Sequence, residues 1–269
     1  MDLSEVKMVV TDMDGTLLNS NHEVSDLFFE QFERLKTNGI EFVAASGRQY
    51  HSILDKLQAI EKHITIVAEN GAYIVKDGVE LYVNAIPVNE MLNLLKECEQ
   101  IPNTYTVLCG RKKAYIKPSP EKFENTIAEY YTSYEVIENF DKIPEDDFFK
   151  VALCHYEGSE ANILPHLSGI DERWKLKVSG QLWVDISMPS SHKGNAIAQL
   201  QKKFGISEAQ TMAFGDYNND LEMLKKAKYS FAMANAHPNV KEIANYETIS
   251  NNENGVEHIL GQLLAAISA

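Results

Sequence analysis

The sequence has few cysteines, little positive charge and no long apolar run. Its three cysteines, Cys98, Cys109 and Cys154, are widely spaced and form no C-x-x-C pair, so neither a disulfide framework nor a structural zinc site is expected. They are better interpreted as small buried hydrophobic residues. Lysine and arginine number 25 against 39 aspartates and glutamates, and the formal net charge is −14. Because nucleic acids and anionic membranes bind basic surfaces, we expect neither as a partner.

Export and membrane insertion also lack support in the sequence. No stretch approaches the roughly 18 consecutive apolar residues that a spanning helix needs. No secretory leader pattern precedes Asp12, so we expect a cytoplasmic protein. Hydrophobic residues make up 44% of the 269 residues, which suffices for the core of one large domain or two modest ones.

Short apolar runs alternate with amphipathic stretches in the N-terminal third, a pattern typical of parallel strands joined by crossover helices. Ser25 is the predicted N-cap of the first helix and Gly39 its predicted end. The same rhythm returns near the C-terminus, where Gly205 is predicted to stop a helix. The predicted strands are residues 6–11, 42–45, 64–68, 211–214 and 230–234. We therefore predict an α/β fold with a Rossmannoid parallel-sheet core.

The middle of the chain has a different texture, with strands in pairs separated by helices. The predicted pairs are 104–108 with 114–117 and 176–179 with 183–187, which is typical of an antiparallel α+β domain. Pro87 and Pro189 flank this segment, as expected of linkers that leave one domain and return to it. We predict core residues 1–83, an inserted domain at 84–189, and core residues 190–269.

The first group of functional candidates, Asp12-Met13-Asp14-Gly15-Thr16, directly follows the first predicted strand. In an open α/β sheet, ligands bind beyond the carboxyl ends of the strands. Two carboxylates two residues apart can face one small volume, where they repel each other unless a cation lies between them. Oxygen-only ligands favour a hard ion such as Mg²⁺ over zinc. Such runs also occur in ordinary turns, so this motif alone leaves both interpretations open.

Ser46-Gly47-Arg48 follows the second predicted strand and precedes a helix. A hydroxyl and backbone N–H groups at the start of a helix can bind a phosphate oxygen. Taken alone, helix capping is the more common role of such a serine.

Lys193-Gly194 opens the helix predicted after Pro189. A lysine there can neutralise charge on a transferring phosphoryl group, although most single lysines lie on the surface. None of the eight histidines, including His192, has a spacing that assigns it to a metal.

The fourth motif, Gly-Asp-Tyr-Asn-Asn-Asp at 215–220, follows the strand that ends at Phe214. Two carboxylates, Asp216 and Asp220, share one short loop with the amide of Asn219. Such crowding is costly without a cation and is hard to explain as simple capping, so this motif favours a functional role.

In this order the motifs resemble the haloacid dehalogenase (HAD) superfamily of phosphotransferases, specifically its Cof-type sugar-phosphatase branch with a large inserted cap. The similarity covers nearly the whole chain. It includes Glu69-Asn70-Gly71-Ala72, Met233-Ala234-Asn235-Ala236 and the stretch 251–256. Small departures, Ser191-His192 and Tyr217-Asn218, remove no group that the chemistry of the family requires.

The resemblance implies a catalytic set and a Mg²⁺ cofactor. Asp12 would attack phosphorus and become phospho-aspartate. Asp14 would act as general acid and then general base. The metal would be held by the Asp12 carboxylate, the Asp14 backbone carbonyl and Asp216, with Asp220 as a ligand or as a residue that orients the ligands. Lys193 would complete the catalytic group.

The resemblance also implies which groups bind the phosphoryl oxygens and which molecules are substrates. The phosphate-binding groups would be Ser46, Lys193, Asn219 and the backbone N–H groups of Met13 and Gly47. Arg48 is the candidate on the core side for substrate specificity. The expected partner is a small phosphorylated metabolite, with sugar phosphates as the leading class.

Two alternatives stay open at this point. A phosphohexomutase would use the same aspartates to move a phosphate within one sugar. A non-catalytic phospho-acceptor or regulatory protein would also combine clustered aspartates with a lysine, but such a module needs only a single small domain. Asp14 favours turnover, because family members that keep a long-lived phospho-aspartate typically lack an aspartate at this position.

Overall fold

The computed structural model describes residues 2–170 and 172–268 of the chain. The strands are β1 (Met8–Thr11), β2 (Glu41–Ala45), β3 (Thr65–Ala68), β4 (Tyr73–Lys76), β5 (Val79–Val83), β6 (Tyr105–Gly110), β7 (Ala114–Ile116), β8 (Tyr134–Val136), β9 (Phe148–Cys154), β10 (Lys175–Gly180), β11 (Trp183–Ser187), β12 (Thr211–Gly215), β13 (Tyr229–Ala232) and β14 (Tyr246–Glu247). The helices are α1 (Asp26–Thr37), α2 (Tyr50–Leu57), α3 (Val88–Cys98), α4 (Glu121–Tyr130), α5 (Ser159–Asn162), α6 (Lys193–Phe204), α7 (Leu221–Leu224), α8 (Pro238–Ile243) and α9 (Gly255–Ile267).

The chain folds into two compact units, Met1–Tyr82 with His192–Ala269, and Val83–Ser191. The first unit contains an eight-stranded sheet in the order β14-β13-β12-β1-β2-β3-β4-β5. The six strands from β14 to β3 are parallel to their neighbours. β1 and β12 are apolar and wholly buried, as parallel strands covered on both faces must be. The predicted α/β fold with a parallel core sheet is confirmed.

The predicted helix ends in this unit are also confirmed. Ser25 caps α1, and its hydroxyl accepts the Phe28 N–H at 3.0 Å. Gly39 and Gly205 follow α1 and α6 with φ of 70° and 66°, in the left-handed region where glycine carries no Cβ penalty.

The edge of the sheet beyond β3 differs from the prediction, because β4 and β5 were not anticipated. β4 is antiparallel to β3 and follows it after a tight turn, so no crossover helix announces it. β5 lies beside β4, and the two are joined at Asp77 and Gly78, with φ of 51° and 73°. Positive φ at both central residues is what a two-residue hairpin turn requires.

The second unit contains a six-stranded sheet in the order β10-β11-β9-β6-β7-β8. The two predicted strand pairs are present and antiparallel, as β6 with β7 and β10 with β11. Both faces of this sheet carry an apolar core. One is built around α3 with Met91 and Leu95, and the other around α4 with Phe123 and Ile127.

Two predictions from composition can be checked against the described residues. Cys98, Cys109 and Cys154 are buried and free, as expected of small hydrophobic side chains. Among residues 2–170 and 172–268, no helix combines the length and the apolar character that a membrane crossing needs.

Candidate active site

Three adjacent parallel strands of the first sheet are each followed by a polar residue, and these residues lie at the same edge of the sheet. β1 lies between β12 and β2, with Thr11 opposite Phe214 on one side and Ala44 on the other. Asp12, Ser46 and Asp216 are the first residues beyond these strands, and the Asp12 N–H donates to Phe214 O at 3.0 Å. The carboxyl ends of parallel strands meet at the same edge, so residues some 200 positions apart become neighbours.

Carboxylates from two of these strand ends converge. Oxygen atoms of Asp12, Asp216 and Asp220 all lie within 4.8 Å of one another. Asp12 is 5% exposed and Asp220 fully buried. Burial raises the pKa of Asp12 well above its usual value; the charge of Lys193 acts against this rise, and the charges of Asp220, Asp216 and Asp14 add to it. Three carboxylates in one small volume supply hard oxygen donors and an excess of negative charge, which fits a divalent cation such as Mg²⁺.

Lys193 is the fully buried cation of this cluster. Its Nζ donates to Asp12 Oδ1 and, at 2.7 Å, to Asp220 Oδ1. Burial by itself would lower the pKa of Lys193, but the two carboxylates raise it above its ordinary value, so the ammonium stays charged. Lys193 is the first residue of α6, whose N-cap is His192. Most single lysines lie on the surface, but Lys193 is fully buried, so its interpretation as an ordinary surface residue is wrong.

The loop after β12 orients the acidic side chains through its own backbone. Asp220 Oδ2 accepts the N–H groups of Asp216 and Tyr217 at 3.0 and 3.1 Å. Asp216 Oδ1 accepts the hydroxyl of Thr16 at 3.2 Å. Burial and the Asp220 charge raise the pKa of Asp216 to about 7. The contact of Thr16 with Asp216 joins residues 200 positions apart, so local sequence does not reveal it.

Gly15 allows the first and fourth motifs to approach each other. Its φ is 74°, which glycine adopts without strain. A β-carbon at this position would lie 2.3 Å from Asp216 Oδ2, much closer than van der Waals contact allows. The positive φ and the close approach of Asp216 are therefore two independent reasons for a glycine at this position.

Asp14 lies outside the group of three carboxylates. Its two oxygens accept the Nε and Nη2 hydrogens of Arg48, both at 2.6 Å, in a bidentate pair. His22 Nδ1 lies 3.4 Å from Asp14 Oδ1. Sequence reasoning did not pair Arg48 with Asp14, and the geometry connects the second motif to the first.

Ser46 and Gly47 lie in the loop between β2 and α2. Ser46 is 2% exposed, and its hydroxyl accepts the Arg48 N–H at 3.1 Å. α2 begins at Tyr50 with Gln49 at its N-cap position, so the interpretation of Ser46 as a helix cap is wrong.

Asn219 lies in the same loop as Asp216 and faces a residue that sequence reasoning missed. Its Nδ2 donates to Asn70 Oδ1 at 3.2 Å. Asn70 belongs to the stretch Glu69-Asn70-Gly71-Ala72 that carries part of the family resemblance, and its left-handed φ of 54° places it in a turn after β3. The amide at this turn was the available signal, because an asparagine beside a strand end can serve a site as well as a turn.

Comparison with known proteins agrees with this geometry. A sequence profile of the haloacid dehalogenase-like hydrolases matches residues 9–260. The chain is 32% identical over 266 residues to 5-amino-6-(5-phospho-D-ribitylamino)uracil phosphatase YbjI of Escherichia coli, covering 96% of each protein. It is 27% identical over 265 residues to the phosphatase YitU of Bacillus subtilis, named for the same compound, covering 94% of this chain and 96% of YitU.

A solved structure is similar over the same extent. The crystal structure of SMU.1108c from Streptococcus mutans has a TM-score of 0.90 and 35% sequence identity, covering 97% of this chain and 99% of that one. Family membership favours an enzyme over the non-catalytic phospho-acceptor module considered above. The chain belongs to the haloacid dehalogenase-like hydrolases, in their Cof-type branch, and is a phosphoric monoester hydrolase.

Proposed function

We propose that this protein is a Mg²⁺-dependent phosphatase of small phosphorylated sugars that works through a phospho-aspartate on Asp12. The observation that carries the proposal is the buried cluster in which Lys193 joins Asp12 to Asp220 while Asp216 lies within 4.8 Å. A buried carboxylate beside a cation and a candidate metal site is a suitable acceptor for a phosphoryl group.

The proposed metal ligands are the carboxylates of Asp12 and Asp216 and the backbone carbonyl of Asp14. When bound, Mg²⁺ would neutralise the crowded carboxylates and polarise the phosphoryl oxygens. Both oxygens of Asp220 accept protein hydrogen bonds, from Lys193 and from two backbone N–H groups. These contacts support an orienting role for Asp220 between Lys193 and the metal site.

The proposed reaction has two in-line steps. In the first, an Asp12 oxygen forms a bond to phosphorus, the ester P–O bond breaks, and the departing oxygen takes a proton from Asp14. In the second, water gives a proton to Asp14 and attacks phosphorus, and the bond to Asp12 breaks to release inorganic phosphate. The bidentate contact with Arg48 holds the Asp14 carboxylate in one orientation, which supports its role as the base that takes a proton from water in the second step.

The proposed phosphate-binding groups come from the first, second and fourth motifs and from the start of α6. They are Ser46, Lys193, Asn219 and the N–H groups of Met13 and Gly47. Charge on the three non-bridging oxygens is spread out during phosphoryl transfer, so fixed donors on several sides stabilise the transition state. The buried Ser46 and the fully buried Lys193 are held in place without the substrate, which lowers the cost of ordering them.

The proposed substrate class is phosphate esters of sugars and of sugar-derived polyols. Two relatives are named as phosphatases of a phosphorylated ribityl compound, and such a chain is a polyol with a terminal monoester. We also propose that residues 84–189 form the inserted cap domain and that residues 1–83 and 190–269 form the catalytic core.

The first test is hydrolysis of p-nitrophenyl phosphate with and without Mg²⁺. The wild-type protein should release inorganic phosphate only with the metal and without a bisphosphate activator, which a mutase would need. Asp12→Asn should be inactive, whereas Asp55→Asn, an exposed change on α2, should match the wild type. Equal rates for wild type and Asp12→Asn would refute the proposal.

Two further measurements address the finer claims. Borohydride added during turnover reduces an acyl phosphate on aspartate to homoserine, so mass spectrometry should find homoserine at position 12 only when substrate and Mg²⁺ are both present. A panel of phosphorylated metabolites should give the highest kcat/KM among sugar and polyol phosphates. A preference for nucleotides or phosphopeptides would overturn the substrate class.

A further inference from the structure

The turn between β3 and β4 has an unusual backbone. Glu69, Asn70 and Gly71 have φ of 50°, 54° and 101°, so three successive residues lie in the left-handed region. A non-glycine residue there is uncommon, and two in succession store strain that the surroundings must hold. A tight turn between β3 and β4 is one reason for this backbone. Strained backbone positions are also common at functional sites, which is a second reason to examine its contacts.

The contacts that hold the turn come from the candidate active site. The Glu69 N–H donates to Arg48 O at 3.0 Å, and the Asn70 N–H donates to Ser46 O at 2.9 Å. A β-carbon on Gly71 would lie 2.6 Å from His192 O, in the residue that precedes Lys193. The turn therefore packs against the second motif and against the start of α6.

The side chain of Asn70 lies against two of the proposed phosphate-binding groups. Its Oδ1 accepts Asn219 Nδ2 at 3.2 Å. A β-carbon on Gly47 would lie 3.1 Å from Asn70 Nδ2 and 3.2 Å from Oδ1. The Asn70 amide thus contacts the fourth motif and packs on the Gly47 backbone of the second.

We propose that Asn70 is a positioning residue that sets which end of the Asn219 amide faces the phosphoryl group. An asparagine amide can present either its NH₂ group or its oxygen, and only the NH₂ group attracts an anion. Asn70 Oδ1 accepts one hydrogen of Asn219 Nδ2, so the NH₂ group of Asn219, and not its oxygen, is held next to Asn70. The second hydrogen of that NH₂ group can then donate to phosphate. The same side chain supports Gly47, whose N–H is proposed to bind another phosphoryl oxygen. This inference rests on the proposed function.

Asn70→Gly is the variant that separates the side chain from the backbone. Glycine adopts a φ of 54° without strain, so the turn is kept and the amide is lost. Asn103→Gly is the matched control, since Asn103 also has a left-handed φ, of 52°, but is exposed in the second unit. Asn219→Ala and the double variant complete a mutant cycle, which isolates the coupling between the two asparagines.

The readouts are kcat/KM for p-nitrophenyl phosphate, inhibition by orthovanadate, vanadate-induced thermal shift, and the Mg²⁺ concentration for half-maximal activity. Asn70→Gly should lower kcat/KM and vanadate affinity about tenfold, as expected for one lost orienting hydrogen bond to a group that binds an anion. The Mg²⁺ requirement and the melting temperature without vanadate should stay unchanged. In the Asn219→Ala background the same change should have less than about a twofold further effect.

The outcomes separate this inference from the proposed function. An active wild type with an Asn70→Gly variant that binds vanadate normally would overturn the role of Asn70 alone, as would additive effects of Asn70→Gly and Asn219→Ala. A wild type that hydrolyses nothing but binds vanadate would refute the proposed function, and the vanadate shifts would still decide the inference. A wild type with neither hydrolysis nor vanadate binding would overturn both.

Discussion

The carboxylate cluster makes the metal-free protein less stable at high pH, and Asp216→Asn should relieve that instability. Burial and the neighbouring Asp220 charge raise the pKa of Asp216 from 3.8 to about 7. The folded state therefore binds a proton more tightly than the unfolded chain does. Stability from this group is fully present below about pH 4 and is lost as the pH rises towards 7. Asparagine carries no charge and can still accept the Thr16 hydroxyl, so the variant should escape the loss.

The size of the effect follows from the pKa shift. A shift of roughly three units converts to about 4 kcal/mol at 1.36 kcal/mol per unit. Asp216 is only partly buried, so solvent screening reduces this to about 1–2 kcal/mol. In a chain of this length, 1 kcal/mol moves the melting temperature by about 2–4 °C. Asp216→Asn should therefore melt about 3–6 °C above the wild type at pH 8, and by less, about 1–2 °C above it, at pH 5.

The assay is thermal unfolding of chelator-treated protein at pH 5 and pH 8, with and without Mg²⁺. Mg²⁺ should stabilise the wild type more at pH 8 than at pH 5, and it should have little effect on Asp216→Asn. Glu30→Gln, an exposed change on α1 with the same change in net charge, should not reproduce the gain. If Asp216→Asn melts at or below the wild type at pH 8, or if its gain is equal at both pH values, the electrostatic reasoning is refuted.

Three further substitutions test individual contacts. Lys193→Met leaves the buried Asp12 and Asp220 carboxylates without their cation and should destabilise the protein by about 3–5 kcal/mol in thermal or urea unfolding, whereas Lys202→Met, exposed on the same helix, should be near neutral. The added β-carbon in Gly15→Ala would clash with Asp216 Oδ2, so kcat/KM should fall by about 100-fold or more. Gly39 has a similar φ but open space around it, so Gly39→Ala should lower the stability and leave kcat/KM unchanged. Equal losses of kcat/KM in the two variants would contradict the steric reasoning. Lysine in Arg48→Lys cannot make the bidentate contact with Asp14, so kcat should fall about tenfold. The Mg²⁺ concentration for half-maximal activity should change by a smaller factor than kcat. An unchanged kcat would show that the pair does not orient Asp14.

Much of the fold could be predicted because it is written in local patterns. Apolar runs, Ser25 at a helix start and two glycines at helix ends each depend on residues a few positions apart. The predicted parallel strands are present for the same reason. β4 and β5 were missed because an antiparallel strand after a tight turn leaves no helical stretch to mark it.

The candidate site was less fully predictable. The positions of Asp12, Ser46 and Asp216 at strand ends follow from the order of apolar and polar residues. Their roles, and the boundaries of the two domains, stay predictions. Arg48 and Asp14 are 34 positions apart, and Asn70 and Asn219 are 149 positions apart. The spacing of apolar and polar residues along the chain cannot predict contacts between residues so distant.

The sequence by itself determined which chemical groups lie at the ends of the strands. The reason is that the points where each strand begins and ends are marked by neighbouring apolar and polar residues. Only the tertiary structure decided which of those groups touch. Sheet order places β12 beside β1, so Asp216 reaches Thr16 across 200 positions of sequence, and the turn after β3 brings Asn70 against Asn219. Contacts of this kind depend on how distant segments pack, and packing is settled by the whole chain at once.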